Sequence, residues 1–322
     1  MRRQRTMRAP ATQLAAIALV AAAAPLSAQT VASAAVDKDR LMADLRALAH
    51  DSMAGRRAGT AGGVRAIRYI EHAMDDAGLT RFGGSYSRPF EFNGGRGGQA
   101  VQAANVVGYL RGRVEPERVI VLTAHFDHLG ERNGQIYNGA DDNASGVAAM
   151  LAIARHFAED APRHTIVFAA LDAEEAGLRG ARAFVDQPPV PFERIAIAVN
   201  LDMVSRNAED ELWVAGTHHT PALRPFIERM ADSARVRLRI GHDRPGVQAQ
   251  DDWTNASDHG PFHAKGIPFL YFGVEDHADY HRESDEADRV NADFFVRSVQ
   301  TIAEIVRALD TQLTAVLPAR AR

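Results

Sequence analysis

Three apolar runs in this chain end abruptly in side chains that bind metals or carry protons. Residues 119–124 (VIVLTA) lead into His125, Phe126, Asp127 and His128. Residues 165–171 (TIVFAAL) lead into Asp172, Ala173, Glu174 and Glu175, and residues 195–201 (IAIAVNL) into Asp202. Two polar segments join them. One is Gly139-Ala140-Asp141-Asp142-Asn143-Ala144-Ser145-Gly146, a loop that opens a helix. The other is Asp279-Tyr280-His281-Arg282-Glu283-Ser284-Asp285. Imidazole nitrogens and carboxylate oxygens are ligands that zinc accepts without any thiolate. A carboxylate left free beside such ligands can take a proton from water. The chain holds thirteen histidines and no cysteine. That excludes disulfides, zinc fingers, iron–sulfur clusters and a cysteine nucleophile, so any metal must be held by His, Asp and Glu.

Taken singly, each residue has a plainer explanation. His125 is read as a strand-end histidine, Asp142 as a turn or helix-cap residue, and Glu174 and Glu175 as acids at a helix entrance. Asp202 is read as a turn residue and His281 as a surface one. Together these explanations fail, because five such coincidences must fall at one edge of one sheet. Open α/β sheets carry their sites beyond the carboxyl ends of their strands.

The elements needed to position these residues can be read from the apolar pattern. Strands are expected at 105–110, 119–124, 165–171, 195–201 and 267–273, with a short strand and a turn in the glycine-rich 83–99. Several of these runs are continuous rather than alternating, which marks strands buried on both faces. Helices are expected at 41–49, 64–77 (stopped by Gly78), 145–157, 176–185, 222–234 and 291–309. Residues 55–63 (GRRAGTAGG) read as a glycine-rich turn. This rhythm argues for one α/β domain with a mixed, largely parallel sheet and helices on both sides.

Over 322 residues the chain is 46% hydrophobic and 24% charged. That is globular composition, not that of a disordered, collagen-like or coiled-coil chain. A formal charge of −4 calls for no nucleic-acid partner. Arg2, Arg3, Arg5 and Arg8 precede an apolar run over about 14–25, with small residues at Ser27 and Ala28. This is the order of a secretory signal, and the run is too short to span a membrane permanently. The expected organisation is a signal peptide at 1–28, a linker at 29–40, a catalytic domain at 41–312 and a tail at 313–322. The protein is expected in the periplasm or secreted, with no stable membrane insertion after cleavage. Cleavage after Ala28 leaves 294 residues and removes four arginines, which takes the charge from −4 to −8.

These segments resemble the co-catalytic zinc aminopeptidases of metallopeptidase family M twenty-eight. AHFDHLG (124–130), NGADDNASG (138–146), DAEEAGLRG (172–180), NLDM (200–203) and DYHRESDE (279–286) carry the likeness in the family's order. SDHGPF (257–262) and GIPFLYFG (266–273) also look like the family, and the likeness covers roughly 41–309. It implies a single three-layer α/β/α domain around a mixed, mainly parallel sheet of about eight strands. It also implies two zinc ions per chain and peptide substrates. His125 and Asp202 would bind one zinc, Glu175 and His281 the other, and Asp142 would bridge both, with Asp141 as the competing choice. Of the two adjacent glutamates, Glu174 would be the general base and Glu175 the ligand. Asp127 would sit behind His125 and accept its other ring N–H. Tyr280 would help polarise the scissile carbonyl. Two dications need a bridging carboxylate and lower the pKa of a shared water. Glu174 would take that water's proton and hand it to the leaving amine. The implied activity is removal of one residue from a peptide N-terminus.

Other residues near the motifs have weaker assignments. His128 has no assigned role, and His259 is expected to support the site by hydrogen bonding. Asp258 reads either as a group beside the site or as a helix cap before Gly260-Pro261. Arg206 reads as a surface arginine, with a substrate-facing alternative. His218-His219 reads as a solvated pair. Trp253 and Phe272 are read as pocket walls or core. Three rival functions share the fold. One is a glutaminyl cyclase, which uses one zinc and closes a ring. Another is a carboxypeptidase or dipeptidase, which needs a basic pocket, and no basic cluster stands out in the sequence. The last is a non-catalytic scaffold homologue. All five ligand positions and the base are kept, which favours the di-zinc hydrolase.

Overall fold

The continuous apolar runs form the middle of a nine-stranded mixed sheet. The computed structural model describes residues 36–94, 98–244 and 251–318, all within one compact unit. Its strands are β1 (Thr80–Arg81), β2 (Ser87–Asn93), β3 (Ala100–Leu110), β4 (Glu115–His125), β5 (Gly130–Arg132), β6 (Gln135–Tyr137), β7 (His164–Leu171), β8 (Ile195–Leu201), β9 (Glu211–Ala215), β10 (Arg237–Ile240) and β11 (Phe269–Gly273). Its α-helices are α1 (Lys38–Leu48), α2 (Ala61–Asp76), α3 (Gly146–Glu159), α4 (Arg179–Asp186), α5 (Arg224–Ala231), α6 (His259–Ala264) and α7 (Ala292–Val316). The sheet runs β1-β3-β7-β4-β8-β11-β9-β10, with β2 also paired to β3, while β5 and β6 form a separate hairpin. At the centre β7, β4, β8 and β11 are mutually parallel. Strands β3 and β9 run antiparallel to their inner neighbours.

The two faces of the central strands bury different residues. Ile120, Leu122 and Ala124 of β4 pack with Leu41, Ile70, Leu151, Ile227 and Leu309, which come from α1, α2, α3, α5 and α7. Val119 and Val121 of the same strand pack on the other face with Phe184 of α4 and Phe262 of α6. A strand covered on both faces cannot alternate apolar with polar, which is why the runs are continuous. Each fully buried aliphatic or aromatic side chain contributes roughly 1.5–3 kcal/mol.

Element ends differ from expectation where a cap or packing decides them. Helix α1 starts at Lys38, before the expected domain start at 41, because the Asp37 carboxylate accepts the Arg40 N–H at 3.0 Å. Helix α7 continues past residue 312 to Val316, with Leu313 fully buried. Strands β9 and β10 are additions to the expected set. Exposed Arg237 and Arg239 alternate with Leu238 and Ile240 over only four residues, too short for a period-two signal. The β5–β6 turn is made by Asn133-Gly134, both with positive φ (53° and 77°). The expected signal segment at 1–28, the linker up to residue 35 and residues 319–322 lie outside the described residues. Among the described residues no helix is long and apolar enough to cross a membrane.

Candidate metal centre

Strand β4 lies between β7 and β8, so three of the polar strand ends are neighbours. The register pairs His125 with Leu171 and Thr123 with Asn200. That sets His125 level with the Asp172–Glu175 turn on one side and Asp202 on the other. The loop before α3 supplies Asp142, and the loop after β11 supplies His281. Ala173, Met203 and His281 all have left-handed φ values of 56–60°. Non-glycine residues hold that conformation at a cost of about 1–3 kcal/mol each, and such strain gathers at functional sites.

The side chains form two clusters that share one carboxylate. In the first, His125 Nε2 lies 3.2 Å from Asp202 Oδ1 and 3.4 Å from Asp142 Oδ1. In the second, Asp142 Oδ2 lies 3.1 Å from His281 Nε2 and 3.7 Å from His128 Nδ1. Glu175 approaches His128 Nδ1 at 2.9 Å through Oε1 and His281 Nε2 at 3.4 Å through Oε2. Asp142 therefore gives one oxygen to each cluster. Asp141 turns away: its Oδ1 accepts from Ser205 N (2.8 Å) and Oγ (2.7 Å), and its Oδ2 faces His277.

These residues fit a metal. Both ring nitrogens of His128, Asp142 Oδ2 and Glu175 Oε1 are buried without a hydrogen-bond partner among the described residues. Orphaned polar atoms of this kind are costly and rare. Of these, His128 Nδ1 lies 2.9 Å from Glu175 Oε1 and 3.7 Å from Asp142 Oδ2, converging as ligands around an ion do. Donor atoms from His125, Asp142 and Asp202, and from His128, Asp142 and Glu175, lie within 4.8 Å of one another in each group. The nitrogen and oxygen donors suit zinc. His128 is the member that sequence reasoning leaves without a role. Strand alternation sets it on the face opposite His125, but β4 ends at His125 and alternation ends with it.

Asp127 differs from expectation. Its carboxylate stands 3.8 Å from His125 Nδ1, and that nitrogen lies 3.2 Å from the Asp127 carbonyl instead. The carboxylate accepts the backbone N–H groups of Glu174 (2.9 Å) and Glu175 (3.3 Å). It thus orients the two glutamates through their main chain. Asp258 precedes α6 without capping it. Both of its oxygens are buried and unpartnered, and burial raises its carboxyl to about 7. His259 is a core histidine: Nε2 lies 2.8 Å from the Trp253 carbonyl, and the ring stacks on Phe269 and Tyr271. Arg206 pairs with Asp279 at 2.6 Å. Trp253 lines the cavity at the clusters, whereas Phe272 is fully buried core.

The electrostatics set the acids apart. Burial pushes Glu174 well above the usual carboxylate range. Burial also raises Asp142 and Glu175, but the imidazoles around them win. Asp142 is held well below its ordinary value and Glu175 at about 2. In return, Asp142 and Glu175 raise His281 to about 10. Below the clusters lies Arg56, from the glycine-rich turn, with no solvent exposure. It donates to the carbonyls of Phe126 (2.7 Å), Leu48 (2.8 Å), Gly139 (2.9 Å) and Asn138. The Asp285 carboxylate accepts the N–H groups of Asp141 and Asp142 at 3.0–3.1 Å. These contacts hold the loop that carries Asp142.

A mixed α/β sheet with paired His/Asp/Glu clusters at its carboxyl edge defines the architecture of a metal-dependent α/β protein. The sequence profile of peptidase family M28 matches residues 105–306, and the chain belongs to that family. A glutamate carboxypeptidase 2 homolog from Caenorhabditis briggsae is 28% identical over 210 residues, 55% of this chain and 24% of that protein. A probable zinc metalloprotease from Leptosphaeria maculans is 26% identical over 250 residues, 67% of this chain and 54% of that one. The chain thus spans about half or less of these relatives. Among solved structures, a zinc aminopeptidase from Bacillus subtilis superposes with a TM-score of 0.67 at 17% identity, covering 90% of this chain and 97% of that one. Glutaminyl cyclase from Porphyromonas gingivalis superposes at 0.69 with 16% identity, covering 84% and 98%. At these identities the superpositions establish the fold.

Proposed function

We propose that this chain is an exported di-zinc aminopeptidase that removes the N-terminal residue of peptides. The observation that carries the reading is the cavity of ≈ 350 Å³ at the two clusters. Among the described residues its walls include Asp142, Glu174, Glu175, Asp202 and Asp276 and no lysine or arginine. The substrate end that suits such a cavity is a cationic α-amine. His125, Asp202 and one oxygen of Asp142 would hold one zinc. Glu175, His281 and the other oxygen of Asp142 would hold the second, with His128 beside them. Bound there, zinc supplies Lewis acidity, polarising a carbonyl and lowering the pKa of water.

The chain's own groups do the rest. Glu174, its carboxyl raised by burial, takes a proton from the attacking water and returns it to the leaving amine. Tyr280 lines the same cavity, and burial keeps its hydroxyl protonated. It donates to the oxygen on which negative charge builds. Asp127 holds Glu174 and Glu175 side by side through their amides. The intact first cluster supports a di-zinc site over the single-zinc cyclase alternative. Retention of Glu174 supports an enzyme over a scaffold.

A panel of aminoacyl p-nitroanilides, each with an N-acetylated counterpart, tests the activity with and without chelator. Hydrolysis of free-amine substrates alone, abolished by chelator and restored by zinc, is expected. Release from the blocked substrates overturns the reading. Export rests on residues 1–28, and the mature protein is proposed to be periplasmic or secreted. N-terminal sequencing of exported protein should begin at Gln29, and an intact Met1 contradicts cleavage.

A further inference from the structure

A second cleft, of ≈ 340 Å³, shares Glu175 with the acidic cavity and carries three arginines against the two carboxylates of Asp127 and Glu175. Glu175 and His128 form part of its wall, so it opens onto the same metal centre. Arg57, Arg132 and Arg179 line it, with Phe92, Val101 and Leu129 as apolar surface. Among the described residues none of the three arginines has a carboxylate partner. Each is positioned by an uncharged contact instead. The stem of Arg57 lies on Gly130, whose φ of +80° suits glycine; a Cβ there would sit 2.8 Å from Arg57 Cβ. The Arg132 guanidinium sits 5.6 Å from the Tyr137 ring centroid. Arg179 Nε donates to the Ala176 carbonyl at 3.0 Å. Three positive charges are thus held at one end of the site, and five carboxylates line the other.

We infer that the arginine cleft is the subsite for the leaving part of the substrate and that it binds a carboxylate there. This rests on the aminopeptidase reading. With the α-amine in the acidic cavity and the scissile bond at the clusters, the next residue passes Glu175 into the arginines. Guanidinium groups bind carboxylates through paired N–H donors. The carboxylate has two sources, the C-terminus of a dipeptide or an acidic side chain at the second residue. In sequence the three arginines are spread over residues 57–179, and only the fold brings them together.

The test uses zinc-loaded enzyme, wild type, Arg57→Gln, Arg132→Gln, Arg179→Gln and the triple variant. It measures kcat/KM for Leu-Leu against Leu-Leu-amide, and for Leu-Glu-amide against Leu-Gln-amide, with Leu-p-nitroanilide as reference. A wild-type preference in the first pair assigns the cleft to a C-terminus, and in the second to an acidic side chain. Each single substitution should cut the preference about fivefold. The triple variant should abolish it, and added salt should erode it. No preference in either pair, or a preference that survives the triple substitution, overturns the inference while p-nitroanilide hydrolysis keeps the aminopeptidase reading intact. Cleavage of N-acetyl-Leu-Leu but not Leu-Leu-amide overturns that reading, and the cleft is then judged by whether the triple variant loses that cleavage.

Discussion

Replacing His128 with leucine removes an imidazole from the second cluster while roughly keeping its buried volume. His128 Nδ1 stands 2.9 Å from Glu175 Oε1 and 3.7 Å from Asp142 Oδ2, with no solvent exposure. The two clusters share Asp142, and His128 groups with Glu175 rather than with His125 and Asp202. Loss of a buried group that ligates zinc or orients its ligands costs about 10–100-fold in metal affinity. That is roughly 1.4–2.8 kcal/mol, within the range expected for a charge-assisted bond left unmade in the interior. The assay is competition between metal-free protein and a zinc-sensitive chelating dye, with turnover followed in parallel. The second zinc should weaken by that factor, the first should stay tight, and excess zinc should restore most of the turnover. Wild-type affinity at both sites refutes the reasoning. So does an equal loss at both sites in a variant whose circular dichroism shows it folded.

Glu174→Gln keeps the shape and should keep both metals, yet kcat should fall by about 10²–10⁴, the usual contribution of a general base; normal turnover in a zinc-replete variant contradicts its role. Arg56→Met strips four carbonyls of their donor and removes the buried positive charge beneath the acids. It should cost about 3–5 kcal/mol, lowering Tm by roughly 10 °C, and Arg56→Lys should not rescue it because a lysine lacks the fork; calorimetry showing an unchanged Tm contradicts this. His259 is held by burial at about 3, below its unfolded value of about 6.5. Between those values the unfolded chain binds more protons, so this contribution to stability is fully present above pH ~6.5 and falls with pH by up to about 1.4 kcal/mol per unit. Denaturant midpoints of wild type and His259→Phe should diverge with pH in that window, and parallel curves contradict it.

Much of this arrangement was legible in the chain because burial on both faces leaves a one-dimensional signature. The runs ending at His125, Glu174 and Asp202 needed only the rule that strands buried on both faces are continuously apolar. Their chemistry followed from the residue types at their ends. What stayed hidden depends on contacts distant in sequence. Asp141 and Asp142 are indistinguishable as neighbours, and Ser205, 64 residues on, together with His277 draws Asp141 aside. The Asp127 carboxylate was expected on a ring nitrogen, but two amides 47 and 48 residues away take it. Arg56 reads in sequence as part of a glycine-rich turn, since nothing local shows that carbonyls from three other segments close around it. The arginine cleft could not be seen at all, because its charges come from a turn, the end of strand β5 and the start of helix α4.

The central claim is a two-metal site that hydrolyses a peptide next to a free amine. Its most direct test is a zinc titration of metal-free protein followed by p-nitroaniline release from Leu-p-nitroanilide, with an N-terminal glutaminyl peptide as the competing substrate. The rate should climb to a plateau at two zinc ions per chain, with no ring formation from the glutaminyl peptide. A plateau at one ion per chain, accompanied by cyclisation, contradicts the account.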